Sequence, residues 1–161
     1  MRPRGAGRAM AALAATILAM VPLAAAHADA AAAEAAIRQR LVAWRDAFNA
    51  GDAAAACDLF APDLVYALPD VPDGTQASMC RNLKRVLARS DIRFRYSGPQ
   101  IHEIIVSGDL AVVRLAWPLE VETKATIETT IEEGMDIFRL QPDGRWSITR
   151  FIAFTPQAPG R

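Results

Sequence analysis

The hydrophobic pattern of this chain changes period once, near Asp91, and that change restricts the fold to helices followed by strands. Before it, Ile37, Leu41, Trp44 and Phe48 fall at i, i+4, i+7 and i+11, predicting one face of a helix over 31–50. Gly51 ends that helix and Asp52 caps a short second one to about Phe60, with Ala56, Cys57 and Phe60 inward. "APD" breaks it, "LVYAL" predicts a short strand, and "PDVPDG" predicts a loop, since two prolines and a glycine sustain neither regular structure. Thr75 is the expected N-cap of a third helix to about Ser90, with Cys80, Leu83 and Leu87 on one face. Its other face carries Arg81, Lys84, Arg85 and Arg89, which is either a solvated stripe or a patch for an acidic partner.

Beyond Asp91 the runs "IRFRYSG", "QIHEIIVSG", "LAVVRLAWPLEVET", "TIETTIEEGMDIFRL" and "RWSITRFIAF" alternate with period two and predict strands. Between Glu120 and Glu132 polar residues alternate with Val121, Thr123, Ile127 and Ile131, which predicts a half-exposed hairpin. The last two strands are joined at Asp143-Gly144, a dipeptide that tolerates the positive φ of a tight turn. Helices segregated from an antiparallel sheet make an α+β domain.

The start of the chain reads differently. Arg2, Arg4 and Arg8 precede the apolar run "AMAALAATILAMVPLAA", and Ala26-His27-Ala28 places small residues where a signal peptidase reads. Residues 1–28 are therefore expected to be a cleaved signal peptide, leaving a single domain over 29–161 with its core at about 34–155 and a loose tail "PQAPGR". An uncleaved membrane anchor is the alternative, and the absence of a nearby cysteine gives no indication of a lipid-modified start. The remaining chain carries 15 basic and 18 acidic side chains, a net charge of −3 that does not suggest nucleic-acid binding. In the periplasm or outside the cell, Cys57 and Cys80 can form a disulfide; otherwise they are two small buried hydrophobes. One mature histidine, His102, and two separated cysteines give no metal-ligand spacing, and no metal or other cofactor is expected.

The stretch "AWRDAFNAGDAAAACDLFAPD" resembles the opening helical signature of the SnoaL-like group of the nuclear transport factor 2 superfamily, which includes ketosteroid isomerase, and "GMDIFRLQPDGRWSITRF" resembles its final hairpin. The likeness runs from about Glu34 to Phe154 and is specific for fold rather than activity. It implies a cone: a strongly curved mixed, mostly antiparallel sheet wrapped by three N-terminal helices, with an internal pocket for a small hydrophobic molecule and a homodimer formed through the sheet.

Ketosteroid isomerase, a worked example of tuned acidity, uses an Asp base, a Tyr and a protonated Asp. The resemblance places Asp136 at its oxyanion-side Asp, Trp44 at its Tyr and Leu68 at its base. The nearest acids to Leu68 are Asp70 and Asp73, in the Pro-rich loop, so the isomerase mechanism is not carried over intact.

Each candidate has a structural alternative. Asp136 is a pocket acid or a scaffold hydrogen-bonding group; Trp44 is core packing or pocket lining. Tyr66, Leu68 and Phe138 are expected to line the pocket, with Tyr66 alternatively a half-buried strand aromatic. His102 and Asp70 are substitute bases, and His102 and Glu103 must point to opposite faces of their strand. Arg114, Arg139 or Arg150, if directed inward, would recognise a ligand carboxylate or pair with Asp136; outward placement on a half-exposed sheet is the commoner outcome. The expected function is ligand binding without turnover, with an acid-base isomerase, cyclase or dehydratase acting on a carbonyl compound as the alternative. A protein-facing role for the outer sheet ranks below both.

Overall fold

The computed structural model describes residues 23–156, so nearly all of the expected signal peptide and most of the tail lie outside the described residues. Among the described residues three helices, α1 (Leu23–Asn49), α2 (Ala53–Cys57) and α3 (Gln76–Leu87), accompany seven strands. The strands are β1 (Phe60–Ala67), β2 (Gly74–Thr75), β3 (Ile92–Tyr96), β4 (Gln100–Ser107), β5 (Leu110–Thr123), β6 (Ile127–Leu140) and β7 (Trp146–Phe154). No helix of the described residues is long and apolar enough to cross a membrane.

The sheet runs β2-β1-β7-β6-β5-β3, and β4 also pairs with β5. Only β1 and β7 are parallel; the other pairs are antiparallel. One edge of β5 serves two partners, with β4 along Leu110–Ala116 and β3 along Leu119–Thr123. The Ser97 amide donates to the Pro118 carbonyl at 2.9 Å where one partner gives way to the other.

Register shifts interrupt the pairing in β1, at His102 of β4 and at Thr149 of β7. Such irregularities bend strands and increase twist. The result is a strongly curled half-barrel whose concave side is closed by the helices. This is the α+β cone expected above.

Local signals account for the helix ends. Asp52 caps α2 by accepting from the amides of Ala54 and Ala55 at 3.1 and 2.9 Å. Thr75 and Ser78 form a reciprocal capping box at the start of α3. Gly51 takes the left-handed φ of +78° that an L side chain rarely adopts. Ile37, Leu41 and Phe48 of α1 are buried against the sheet, as their spacing predicts.

Two expectations are corrected. The second helix stops at Cys57, and Phe60 begins β1 rather than ending α2. "APD" does not precede the strand but lies within it, where β1 advances from Phe60 to Val65 while β7 advances only from Ile148 to Arg150. Pro62 has no amide hydrogen to give a ladder, so this irregular stretch accommodates it. The last turn also differs in detail: the Gly144 amide donates to the Gln141 carbonyl at 2.9 Å, and only Gly144 has positive φ, at +81°. It is a turn followed by a left-handed glycine rather than a two-residue loop with both residues left-handed.

Candidate functional site

Alternation assigns faces within the cone. Glu132, Gly134 and Asp136 of β6 stand opposite Trp117, Leu115 and Val113 of β5, and Phe151 and Ala153 of β7 stand opposite Asp136 and Gly134. All of these inward positions but Val113, which is buried in the core, join Leu41, Trp44 and Phe48 of α1 and Met79 and Leu83 of α3 in enclosing a cavity of about 510 Å³. Leu68, Pro69 and Phe154 form its exposed rim. The lining is mostly aromatic and aliphatic, with the acids Glu132, Glu133 and Asp136 and no Lys, Arg or His.

Asp136 is 7% exposed and accepts no hydrogen bond among the described residues. Removal from water pushes its carboxyl up to about 7, because burial penalises the charged form. Gly134, its neighbour on the inner face, has no side chain. A Cβ there would lie 3.9 Å from Asp136 Oδ1, so the carboxyl borders space that any larger residue would narrow.

A second polar group lies four residues back on the same face, about 13 Å along the strand at 3.3 Å per residue. The Tyr96 hydroxyl donates to Glu132 Oε2 at 2.7 Å. Burial raises both groups' pKa, with the Glu132 charge adding to the effect on Tyr96 and the Tyr96 hydrogen bond opposing it on Glu132. Tyr96 is positioned by its backbone: its amide donates to Asn49 Oδ1 at 2.9 Å and its carbonyl accepts from Asn49 Nδ2 at 2.8 Å. The last residue of α1 thus fixes the strand end that presents the tyrosine.

Trp44 ties these parts together. Its ring centroid is 5.1 Å from those of both Tyr96 and Trp117 and 5.5 Å from Phe48. Its indole nitrogen is buried without a hydrogen-bond acceptor among the described residues.

The remaining sequence candidates lie elsewhere. Phe138 is fully buried in the core, and Tyr66 is 4% exposed behind the cavity wall, stacked at 4.8 Å on Phe151 with its hydroxyl 3.3 Å from Ser78 Oγ. Neither lines the cavity, contrary to expectation, because Tyr66 is screened by Phe151 and Phe138 is covered by its neighbours. Asp70 sits exposed in the loop with a φ of +61°, and Asp73 is exposed beside it. His102 occupies the bulge of β4, where its Nε2 is 3.7 Å from Glu133 Oε2 and outside the cavity lining. Arg139 pairs with Asp63 at 3.0 Å, Arg150 donates to the Asp63 carbonyl at 2.8 Å, and Arg114 stands opposite Glu103. None of these three arginines therefore pairs with Asp136.

Tyr96, Trp117 and Glu132 were not among the sequence candidates. Glu132 looked like the solvent side of a half-exposed hairpin; stepping back by twos from Asp136 would have put it on the inner face. Cys57 and Cys80 are joined as a disulfide, Cα to Cα 5.4 Å, tying α2 to α3. Among the described residues no group of three His, Cys, Asp or Glu is gathered to hold a metal.

A model of the SnoaL-like domain matches residues 41–148, which takes in the C-terminal third of α1, all of α2 and α3, and the sheet up to the start of β7. The chain belongs to the SnoaL-like domain family. A comparison with curated proteins returns no match. Among solved structures, this SnoaL-like chain is similar to a ketosteroid isomerase-like protein from Erwinia carotovora atroseptica, at 22% identity and a TM-score of 0.65, covering 77% of this chain and 96% of that one. An NTF2-like protein with a cystatin-like fold from Novosphingobium aromaticivorans matches at 19% identity and a TM-score of 0.68, covering 87% and 94%. A conserved protein from Planctomyces limnophilus matches at 20% identity and a TM-score of 0.68, covering 81% and 98%. At these identities the likeness shows the SnoaL-like cone and not an activity.

Proposed function

We propose that this SnoaL-like domain is exported and holds a small, largely apolar molecule in its cone. The observation that carries the reading is Asp136: a buried carboxyl on an open apolar cavity with no hydrogen-bond donor among the described residues. Buried polar groups nearly always have partners, and a bound molecule is the partner this geometry leaves room for. The Cys57–Cys80 bond supports export, because disulfides persist in oxidising compartments.

Ligand-shift melting and native mass spectrometry against lipophilic metabolites test the proposal. A bound molecule at about 100 times its Kd is expected to stabilise the wild type by about 2.7 kcal/mol. Asp136→Asn is expected to bind it about tenfold less tightly, the cost of losing a charge-assisted or acid-donated hydrogen bond. Absence of any ligand shift across such a set would count against the pocket reading.

A second reading, acid-base turnover of a carbonyl compound, draws on the same residue. A carboxyl titrating near 7 can give or take a proton at neutral pH. The resemblance puts Leu68 at the isomerase base, and neither substitute read from the sequence reaches the cavity: Asp70 is exposed in its loop, and His102 lies outside the lining. Binding therefore comes first.

The outer sheet supports the homodimer. Ile105 of β4, Met135 of β6 and Ile152 of β7 are 53%, 42% and 51% exposed on the outer face, Met135 directly opposite Ile152 and Ile105 on the far side of β5. Exposed apolar groups collected on one face mark association surfaces. Analytical ultracentrifugation is expected to give twice the chain mass, whereas a monomer at tens of micromolar would refute the dimer.

A further inference from the structure

We propose that the cavity selects a lipophilic amine, bound as its ammonium ion between the Glu132 carboxylate and the aromatic wall of Trp44, Tyr96 and Trp117. The inference deepens the pocket reading above and rests on it.

Three observations converge. First, the lining carries the acids Glu132 and Asp136 and no basic side chain, so a carboxylate or phosphate ligand would find no counter-charge in a desolvated site. Second, one end of the cavity gathers the right groups for a cation. Trp117 stands opposite Glu132 across the β5–β6 ladder, Tyr96 is bonded to Glu132 at 2.7 Å, and the Trp44 ring centroid is 5.1 Å from both neighbouring aromatic centroids. Electron-rich rings attract cations electrostatically, and the attraction grows when water is excluded.

Third, only Oε2 of Glu132 is engaged, so Oε1 has no hydrogen-bond partner among the described residues and is available to accept from N⁺–H. Asp136, on the same face and with no donor to either carboxyl oxygen among the described residues, is a second polar group of the cavity wall left for a ligand to meet. The apolar body of the ligand would extend from Glu132 past Gly134, where the absent side chain leaves the floor open.

The test uses three probes of one shape: 1-naphthylmethylamine, 1-naphthylmethanol and 1-naphthylacetate, each titrated calorimetrically into the mature protein at neutral pH. The amine is expected to bind about tenfold or more tightly than the alcohol, the effect of one desolvated cation–π contact plus a charge-assisted hydrogen bond, and the carboxylate not measurably. In Glu132→Gln the amine is expected to lose its advantage over the alcohol, the ratio of the two Kd values falling to about one. In Tyr96→Phe, which keeps the carboxylate, the advantage is expected to remain.

Equal binding of amine and alcohol by the wild type would overturn the amine assignment and leave the apolar pocket standing. Failure of all three probes would overturn both. The wild-type comparison holds whether or not either variant folds.

Discussion

Asp136→Asn is expected to make the unliganded protein more stable above neutral pH, not less. Burial holds the Asp136 carboxyl at about 7, well above its value near 3.9 in an unfolded chain. Between these two values the folded protein therefore binds more protons than the unfolded one, so stability falls as pH rises through that window. The loss is complete above pH 7. Three pKa units correspond to about 4 kcal/mol as an upper bound, since each unit is 1.36 kcal/mol.

Asparagine has nearly the shape of the protonated acid and no charge to bury. At pH 8.5 the variant is expected to melt about 5–10 °C above the wild type, and near pH 4 the two are expected to coincide. Melting curves across pH check this. The alternative role, an acid serving the scaffold through hydrogen bonds, requires the opposite sign, with Asn less stable at every pH. A residue that destabilises the empty fold is retained for what it does with an occupant.

The second large effect concerns the Cys57–Cys80 bond, which closes a loop over a sequence separation of 23. Loop-closure entropy for that length gives about 3.5 kcal/mol of stabilisation through the unfolded state. Cys80→Ser, or reduction with a thiol, is expected to lower the denaturant midpoint accordingly without changing the slope beyond what a less constrained unfolded chain exposes. The bond fastens α3, whose Met79 and Leu83 line the cavity, to α2. Its loss should therefore weaken ligand binding as well as stability. An unchanged midpoint on reduction would contradict this account.

Much of the architecture was legible because its signals are local. The change of period at Asp91 separated helices from strands, and Asp52 and Thr75 announced helix starts through side chains that can reach only their own first turn. The Phe60 boundary failed for a related reason: a short apolar run beside Pro62 has no period of its own, and only pairing with β7 makes it a strand.

The site was half legible. Asp136, Trp44 and Leu68 came from the likeness to a known signature, and all three border the cavity. Glu132 and Tyr96 were hidden because their bond spans 36 residues and depends on the registers of β3 on β5 and of β5 on β6. Tyr66 and Phe138 were misplaced because alternation tells which face a residue takes, not which of its neighbours stands between it and the cavity. In Tyr66 that neighbour is Phe151, stacked directly on its ring.

The cone is proposed as a ligand site with Asp136 on its wall. A high-resolution crystal structure of the mature protein, purified without added ligand, tests it most directly. The account predicts an open cavity holding a copurified molecule or ordered water, with a polar atom within hydrogen-bond distance of the Asp136 carboxyl. A cavity filled by its own side chains, with Asp136 bonded to the backbone around it, would contradict it.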